Sequence, residues 1–217
     1  MLEATKSLKF VIAHFAKTFY PKRYSFLKEQ AQAIYNKYNS AGQLERISIL
    51  ECLLISGEDH RFNYHFGFDP IAICRAIKNR IFHRRIEGAS TIHQQLVRVL
   101  TNDFERTRSR KFREICLATT LSDIIPRHTI PLLYLHVAYF GASMNGLQQA
   151  LTKLNIISLN TISIETAAGI IARLKYPEPG QLNEKREKQI ELRKKHLLML
   201  YERHQQTKWL PIYGKYS

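Results

Sequence analysis

The chain has 217 residues and few cysteines. Cys52, Cys74 and Cys116 lie far apart without metal-ligand spacing, so neither a disulfide framework nor a zinc site is expected. Each falls in an apolar helical context and reads as a small core residue. Long apolar runs are also missing. Residues 5–20 place Leu8, Val11, Ile12, Phe15 and Phe19 at helical spacing, but Lys6, Lys9, His14 and Lys17 interrupt them. Such a stretch is too short and too charged to cross a bilayer, and it lacks the small-residue cleavage site of a signal peptide. It reads as an amphipathic helix packed on the domain, with a basic helix on a membrane surface as the alternative. Acid is scarce as well. Only 18 Asp+Glu oppose 33 Lys+Arg, a net charge of +15 that favours an anionic partner such as nucleic acid, anionic lipid or a phosphorylated substrate. No internal repeat, low-complexity linker or alternating strand pattern is visible.

What is present is helix. Hydrophobic residues make up 45% and charged residues 24%, enough apolar side chain for a packed core. Helices are expected over 25–38 and 43–55, the second carrying Leu44, Ile47, Leu50 and Leu54 on one face and ending at Gly57. Asp69-Pro70 reads as a helix start, with aspartate as N-cap and proline in the first turn. The segment that follows sets Ile73, Ile77 and Ile81 among Arg75, Lys78, Arg80, Arg84 and Arg85, a surface suited to phosphate or lipid head groups. Thr91 and Gln94 fit a capping box for a helix that buries Ile92, Leu96 and Val99 and leaves Ser90, Gln94, Gln95 and Arg98 to line another side. A helix through Ile115, Ala118 and Leu121 should stop before Pro126. Residues 129–141 are apolar almost throughout and read as a central buried helix. Residues 165–174 form a helix of small residues, Tyr176 to Gly180 a stop, and 184–204 a last helix. The architecture is therefore all or mostly helical, one domain with two lobes around a cleft.

Two stretches carry chemistry. Residues 58–69, EDHRFNYHFGFD, set Glu58, Asp59, His65 and Asp69 among Phe62, Tyr64, Phe66 and Phe68. A carboxylate at a helix end against aromatic surface suits a general base or acid; the plainer alternative is a solvated acidic pair. Residues 106–114, RTRSRKFRE, hold five cationic side chains and Glu114. On a helix, Arg110 and Glu114 are four apart and neighbours. They read either as a surface salt bridge or as a carboxylate kept ionised among cations that bind a diphosphate. Between these stretches, Gly88 leads into the polar cluster of Ser90, Thr91, Gln94, Gln95 and Arg98 at a helix N-terminus, where free N–H groups favour anions.

Taken together, these blocks resemble those of the peptidoglycan glycosyltransferases of glycosyltransferase family 51. The family pattern E-D-x-x-F-x-x-H-x-G-x-D matches at Glu58, Asp59, Phe62, His65, Gly67 and Asp69. The pattern G-x-S-T-I-x-Q-Q-x-x-K-N matches at Gly88, Ser90, Thr91, Ile92, Gln94 and Gln95, then departs with Arg98 for lysine and Val99 for asparagine. R-K-x-x-E matches at Arg110, Lys111 and Glu114, with Arg106 at a preceding family arginine. A fourth block fits at Tyr134, Leu135 and Tyr139-Phe140-Gly141 but places Pro131, Leu132 and His136 where the family has leucine, glutamate and asparagine. A fifth fits loosely at Arg193, Lys194 and Leu198.

The resemblance implies an all-α, lysozyme-like helical domain with a catalytic cleft between two lobes. Residues 1–40 would form an N-terminal amphipathic segment and 41–217 the catalytic domain. It implies transfer of a growing glycan from polyprenyl diphosphate to the sugar hydroxyl of lipid II, at the outer face of the bacterial cytoplasmic membrane. Glu58 would act as base. Glu114, with Arg98, Arg106, Arg110 and Lys111, would hold the diphosphate. Asp59, Phe62, His65, Gly88, Ser90, Thr91, Gln94 and Gln95 would bind substrate. No cofactor or metal site is expected, save a divalent cation at the diphosphate. The expected partners are lipid II, the nascent glycan strand, an anionic membrane surface and other cell-wall synthesis proteins. Nucleic acid is not expected, because the basic residues lack interleaved aromatic stacking positions. Family members usually carry a spanning N-terminal helix, and none is visible near Met1. The competing readings are a glycan-cleaving enzyme on the same scaffold and a catalytically decayed binder of lipid or anions.

Overall fold

The computed structural model describes residues 2–44, 48–84, 88–157 and 162–206, without the side chains of residues 2–6 and 48. Met1, Ile47, Arg85 and the side chain of Lys6, named above, lie outside the described residues. In chain order the elements are α1 (Leu2–Phe19), α2 (Pro21–Ser40), α3 (Ser48–Glu58), α4 (Pro70–Phe82), α5 (Ile92–Leu100), α6 (Arg108–Ile124), α7 (Ile130–Val137), β1 (Tyr139–Gly141), β2 (Met144–Asn145), α8 (Leu147–Lys153), α9 (Ile164–Lys175) and α10 (Glu184–Gln206). Short 3-10 turns occupy Phe62–Tyr64 and Arg127–Thr129. The fold is all-α, as the periodicity indicates. Among the described residues no helix is long and apolar enough to cross a membrane.

The chain divides into two compact units, one of Met1–Gln43 with Arg61–Ile130 and one of Leu44–His60 with Pro131–Ser217. In the first, α6 is the central element, packed against α1, α2 and α5. Its start is fixed by Thr107, whose hydroxyl accepts from Arg110 N at 3.1 Å, and its end by Ile125 ahead of Pro126. Cys116, Leu117, Ala118 and Leu121 are buried along it. Thr119 and Thr120 are buried too, their hydroxyls satisfied by the carbonyls of Cys116 and Leu117 at 2.7 Å. α1 packs through small residues, Ala13 and Ala16, and Lys9 pairs with Asp123 of α6 at 2.5 Å. Its larger residues Leu8, Phe10, Val11 and Phe19 are exposed. α4 begins as expected: Asp69 accepts from Ile71 N at 3.0 Å and Pro70 occupies the first turn. It buries only Ala72 and exposes Ile71, Ile77, Ile81 and Phe82.

In the second unit α10 packs on α3 and α9, and α3 on α9. Leu50, Leu53 and Leu54 of α3, Ala167, Ala168, Ile170, Ile171 and Ala172 of α9, and Ile190 and Leu197 of α10 are buried. The small side chains of α9 let helix axes approach closely. α9 is capped by Ser163, which accepts from Thr166 N at 3.2 Å.

Several sequence expectations need correction. Gly57 does not end α3, which runs through Glu58, and its φ is not left-handed. A Cβ there would lie 2.2 Å from Leu197 Cδ2 and 3.2 Å from Arg193 Nη2, so Gly57 is a packing site for α10. The apolar run 129–141 is not one helix: α7 ends at Val137 and Tyr139–Gly141 pairs antiparallel with Met144–Asn145. The cause is remote in sequence. Glu178 N donates to Phe140 O and Ala142 N to Glu178 O, both at 2.9 Å, and Gly141 sits at φ +145° with no room for a Cβ beside the Glu178 backbone. In α5 the buried residues are Ile92, His93, Gln94, Leu96 and Val97; Val99 is only half-buried and Gln94 lines no open side. Cys74 is exposed, unlike buried Cys116, and all three cysteines are free thiols.

Candidate active site

The first unit contains a carboxylate locked among cations. One helical turn of α6 sets Arg110, Lys111 and Glu114 on one face, and Arg98 reaches them from the last turn of α5. The Glu114 side chain is 3% exposed. Arg98 donates from Nε to Oε2 at 2.9 Å and from Nη2 to Oε1 at 3.2 Å, a two-pronged clasp. Lys111 Nζ donates to Oε1 at 2.8 Å, and Arg110 Nη1 donates to Oε2. Burial pushes the Glu114 carboxyl up, but the Arg98 hydrogen bonds and the Lys111 charge outweigh it and hold its pKa below the ordinary carboxylate value. The Lys111 ammonium moves down chiefly through burial, partly offset by Glu114 and reinforced by Arg98 and Arg110. With three cations on one ionised carboxylate, this cluster carries surplus positive charge. That is the composition of an anion-binding site, and a carboxylate so saturated is poorly suited to abstract a proton.

The polar block before α5 is tied to the same lysine. Lys111 Nζ also donates to Ser90 Oγ at 2.8 Å and to Gln94 Oε1 at 3.5 Å. The capping box holds Gln94 in place: Thr91 N donates to Gln94 Oε1 at 3.0 Å, and Gln94 N donates to Thr91 Oγ1 at 3.3 Å. The Thr91 hydroxyl donates onward to Gly67 O at 2.6 Å. Gly67 is required there: at φ +130° it lies against the Ala118 backbone, where a Cβ would meet the carbonyl oxygen at 2.4 Å. Gly88 is exposed ahead of the block, with nothing near the position of a Cβ, and Gln95 is half-buried. Arg106 is exposed in the segment before α6 and does not join the Glu114 cluster.

The rest of the first motif in this unit braces the loop between Arg61 and Asp69. Phe62 is fully buried, and His65 and Asp69 nearly so. Arg61 Nε donates to Asp69 Oδ2 at 2.7 Å, and His65 Nδ1 accepts from Gly67 N at 3.2 Å. Arg127 Nη2 donates to the carbonyls of Phe62 and of His65, the latter at 2.5 Å. Beside them His93 is buried, its ring 5.1 Å from Phe62 and 5.5 Å from His65, its Nε2 3.2 Å from Ser122 Oγ. Burial, then the charges of His65, Arg127 and Lys9, push the His93 imidazole well below its ordinary value, so it is neutral at pH 7. Nothing in the local sequence pattern of His93 separates it from a surface histidine.

In the second unit Glu58 ends α3, with Asp59 next to it and buried, so the two are not a solvated pair. The Glu58 side chain is 19% exposed. Arg193 of α10 donates from Nη2 to Glu58 Oε1 at 2.8 Å and to Gly57 O at 2.9 Å, while its Nη1 lies 3.0 Å from His196 Nδ1. Within this unit, then, a guanidinium faces the carboxylate. Arg193 matched only the loosest block of the sequence, yet it is hydrogen-bonded to Glu58.

Comparisons with known proteins identify the family. The family model described as Transglycosylase matches residues 25–202. Penicillin-binding protein 1A of Rickettsia prowazekii is 37% identical over 135 residues, which are 59% of this chain and 17% of that protein. The biosynthetic peptidoglycan transglycosylase of Nitrosomonas eutropha is 29% identical over 170 residues, 74% of this chain and 69% of that protein. Penicillin-binding protein 1A of Escherichia coli is 39% identical over 97 residues, 44% of this chain and 11% of that protein. The chain thus spans about a sixth of the penicillin-binding proteins 1A of Rickettsia. It belongs to the transglycosylase family, the peptidoglycan glycosyltransferases of cell-wall synthesis.

Proposed function

We propose that this chain polymerises lipid II into glycan strands. The observation that carries the reading is the Glu114 cluster: one buried, ionised carboxylate and three cations, with Lys111 also bound to Ser90 and Gln94. Surplus positive charge fixed before substrate arrives suits a diphosphate leaving group, because it stabilises the charge that builds as the glycosyl bond breaks. Arg106, exposed and outside the cluster, is left to meet the substrate. In this reading the acceptor hydroxyl oxygen attacks the anomeric carbon of the donor, the bond to polyprenyl diphosphate breaks, and the hydroxyl proton passes to Glu58. The α-linked donor gives a β-linked product in one displacement, so no covalent intermediate is needed.

Glu58 suits the base role because its carboxylate is oriented by Arg193 yet keeps solvent exposure. Glu114 acts as a fixed charge that spaces Arg98, Arg110 and Lys111. Ser90, Gly88 and Gln95 contact substrate. Thr91 and Gln94 contribute by holding Lys111 and the Ser90 segment, Phe62 and His65 by bracing the loop of the first unit, and Asp59 stands next to Glu58 in the second. No cofactor is obligatory, and a divalent cation would assist at the diphosphate. Polymerisation that slows but persists in EDTA supports this, and polymerisation that EDTA abolishes until magnesium is added contradicts it.

We place the reaction at the outer face of the cytoplasmic membrane, on an anionic surface and alongside other cell-wall synthesis proteins. The exposed isoleucines of α4 among Arg75, Lys78 and Arg80 fit such a surface. The test is to incubate the protein with lipid II alone and, separately, with finished glycan strands. Polymer from lipid II is the expected result; cleavage of strands without polymer would favour the glycan-cleaving alternative.

A further inference from the structure

α1 is arranged inversely to an ordinary packed helix: alanines face inward and aromatic residues outward. Leu8, Val11, Phe15 and Phe19 recur at spacings of three and four and share one face. Val11 is 62% exposed and Phe19 64%. The half-buried Phe15 ring stacks on Phe19 at 4.3 Å and meets the edge of Phe112 on α6 at 5.7 Å, extending the patch across two helices. Phe112 is itself 51% exposed. The rim is basic. Lys22 and Arg23 are exposed in the first turn of α2, directly after Phe19, and exposed Arg108 stands one helical turn before Phe112. Glu105, ahead of α6, is an exposed acid near this rim in sequence.

We propose that the outer face of α1, together with Phe112, docks in the head-group layer of an anionic bilayer, phenyl rings inserted and the basic rim on lipid phosphate. The patch has the two features such docking needs, an exposed aromatic face and adjacent cations, Lys22, Arg23 and Arg108, that outnumber the one acid, Glu105, named near them. A second copy of this chain is a poor occupant, because pairing these faces would oppose like-charged rims on a protein of net charge +15. The inference rests on the membrane-surface part of the proposed function and adds where contact is made.

The experiment is flotation of the full chain with vesicles of phosphatidylglycerol and phosphatidylcholine, and with phosphatidylcholine alone. Two variants are compared, Val11→Ser/Phe19→Ser/Phe112→Ser and Lys22→Gln/Arg23→Gln/Arg108→Gln. Wild type should float with anionic vesicles and much less with neutral ones. Each variant should lose roughly tenfold in partitioning to anionic vesicles, while both still polymerise lipid II in detergent solution. Thermal melts check folding of the apolar variant, and the charge variant carries the test if that variant unfolds. Undiminished flotation of the folded variants overturns the proposal. So does a wild-type dimer in sedimentation equilibrium that the apolar variant abolishes without affecting flotation. Normal flotation by a wild type that makes no polymer supports the docking and refutes the polymerase reading alone.

Discussion

Glu58 and Glu114 are the same side chain in opposite settings. Glu114 is 3% exposed and clasped by three cations through both carboxylate oxygens. Glu58 is 19% exposed, and its Oε1 accepts from the Arg193 guanidinium. The first setting fixes a charge and resists change. The second holds a carboxylate in one orientation while leaving it reachable. A glycosyl transfer needs both, a fixed field at the departing diphosphate and a base that can accept a proton.

The largest effect should follow loss of the base. Glu58→Gln keeps size and shape but cannot take a proton, so lipid II turnover should fall by about 10²- to 10⁴-fold, with the melting temperature nearly unchanged. A melt shifted as much as the rate would mean that the pair with Arg193 is structural.

Glu114→Gln should behave differently, costing stability as well as rate. It leaves Arg98, Arg110 and Lys111 without their shared anion. Breaking a buried pair is expensive, but these cations are partly solvated, so about 2 kcal/mol is expected in urea unfolding. The pH dependence sharpens the contrast. The Glu114 pKa is depressed in the folded protein, so its contribution is complete above the unfolded value of 4.5 and is lost as pH falls through the folded one. As pH falls from 4.5 through the folded value, wild type should therefore lose stability more steeply than the glutamine variant; parallel curves would contradict the ionised assignment. His93 adds a second window. Its imidazole is also depressed, so stability is complete above 6.5 and declines as pH falls below it. A His93→Leu variant should lose that slope.

Arg193→Lys keeps the charge and forfeits the simultaneous bonds to Glu58 and Gly57. A fall of roughly tenfold in kcat with little change in KM is expected if Arg193 positions the base. Equal changes in melting temperature for this variant and for a packing variant such as Leu197→Ala would instead make it structural. Arg98→Lys should have the smallest effect, a few-fold at most, because charge is retained while the two-pronged clasp is lost.

Much of this was visible in sequence where the signal is local. The Asp69-Pro70 start, the Thr91–Gln94 box and the stop at Ile125 all obey short-range capping chemistry and lie where the spacing puts them. The Arg110–Glu114 pairing followed from helical spacing alone. The failures share one cause, determination by distant partners. Tyr139–Gly141 is extended because Glu178 bonds to it, and Gly57 is small because Leu197 sits on it. Arg193 matters because it meets a carboxylate 135 residues earlier in the chain. No window of local periodicity contains those contacts. Gln94 and His93 were unreadable for a related reason: their burial depends on which side of α5 faces α6, and polar identity points the wrong way.

The central claim is a division of labour between the two carboxylates, and it is tested most directly by measuring lipid II binding and single-turnover polymerisation side by side in Glu58→Gln and Glu114→Gln. The account predicts that Glu58→Gln binds lipid II like wild type and fails to turn it over, whereas Glu114→Gln loses binding and turnover together. Turnover retained by Glu58→Gln, or wild-type binding with blocked turnover in Glu114→Gln, would contradict it.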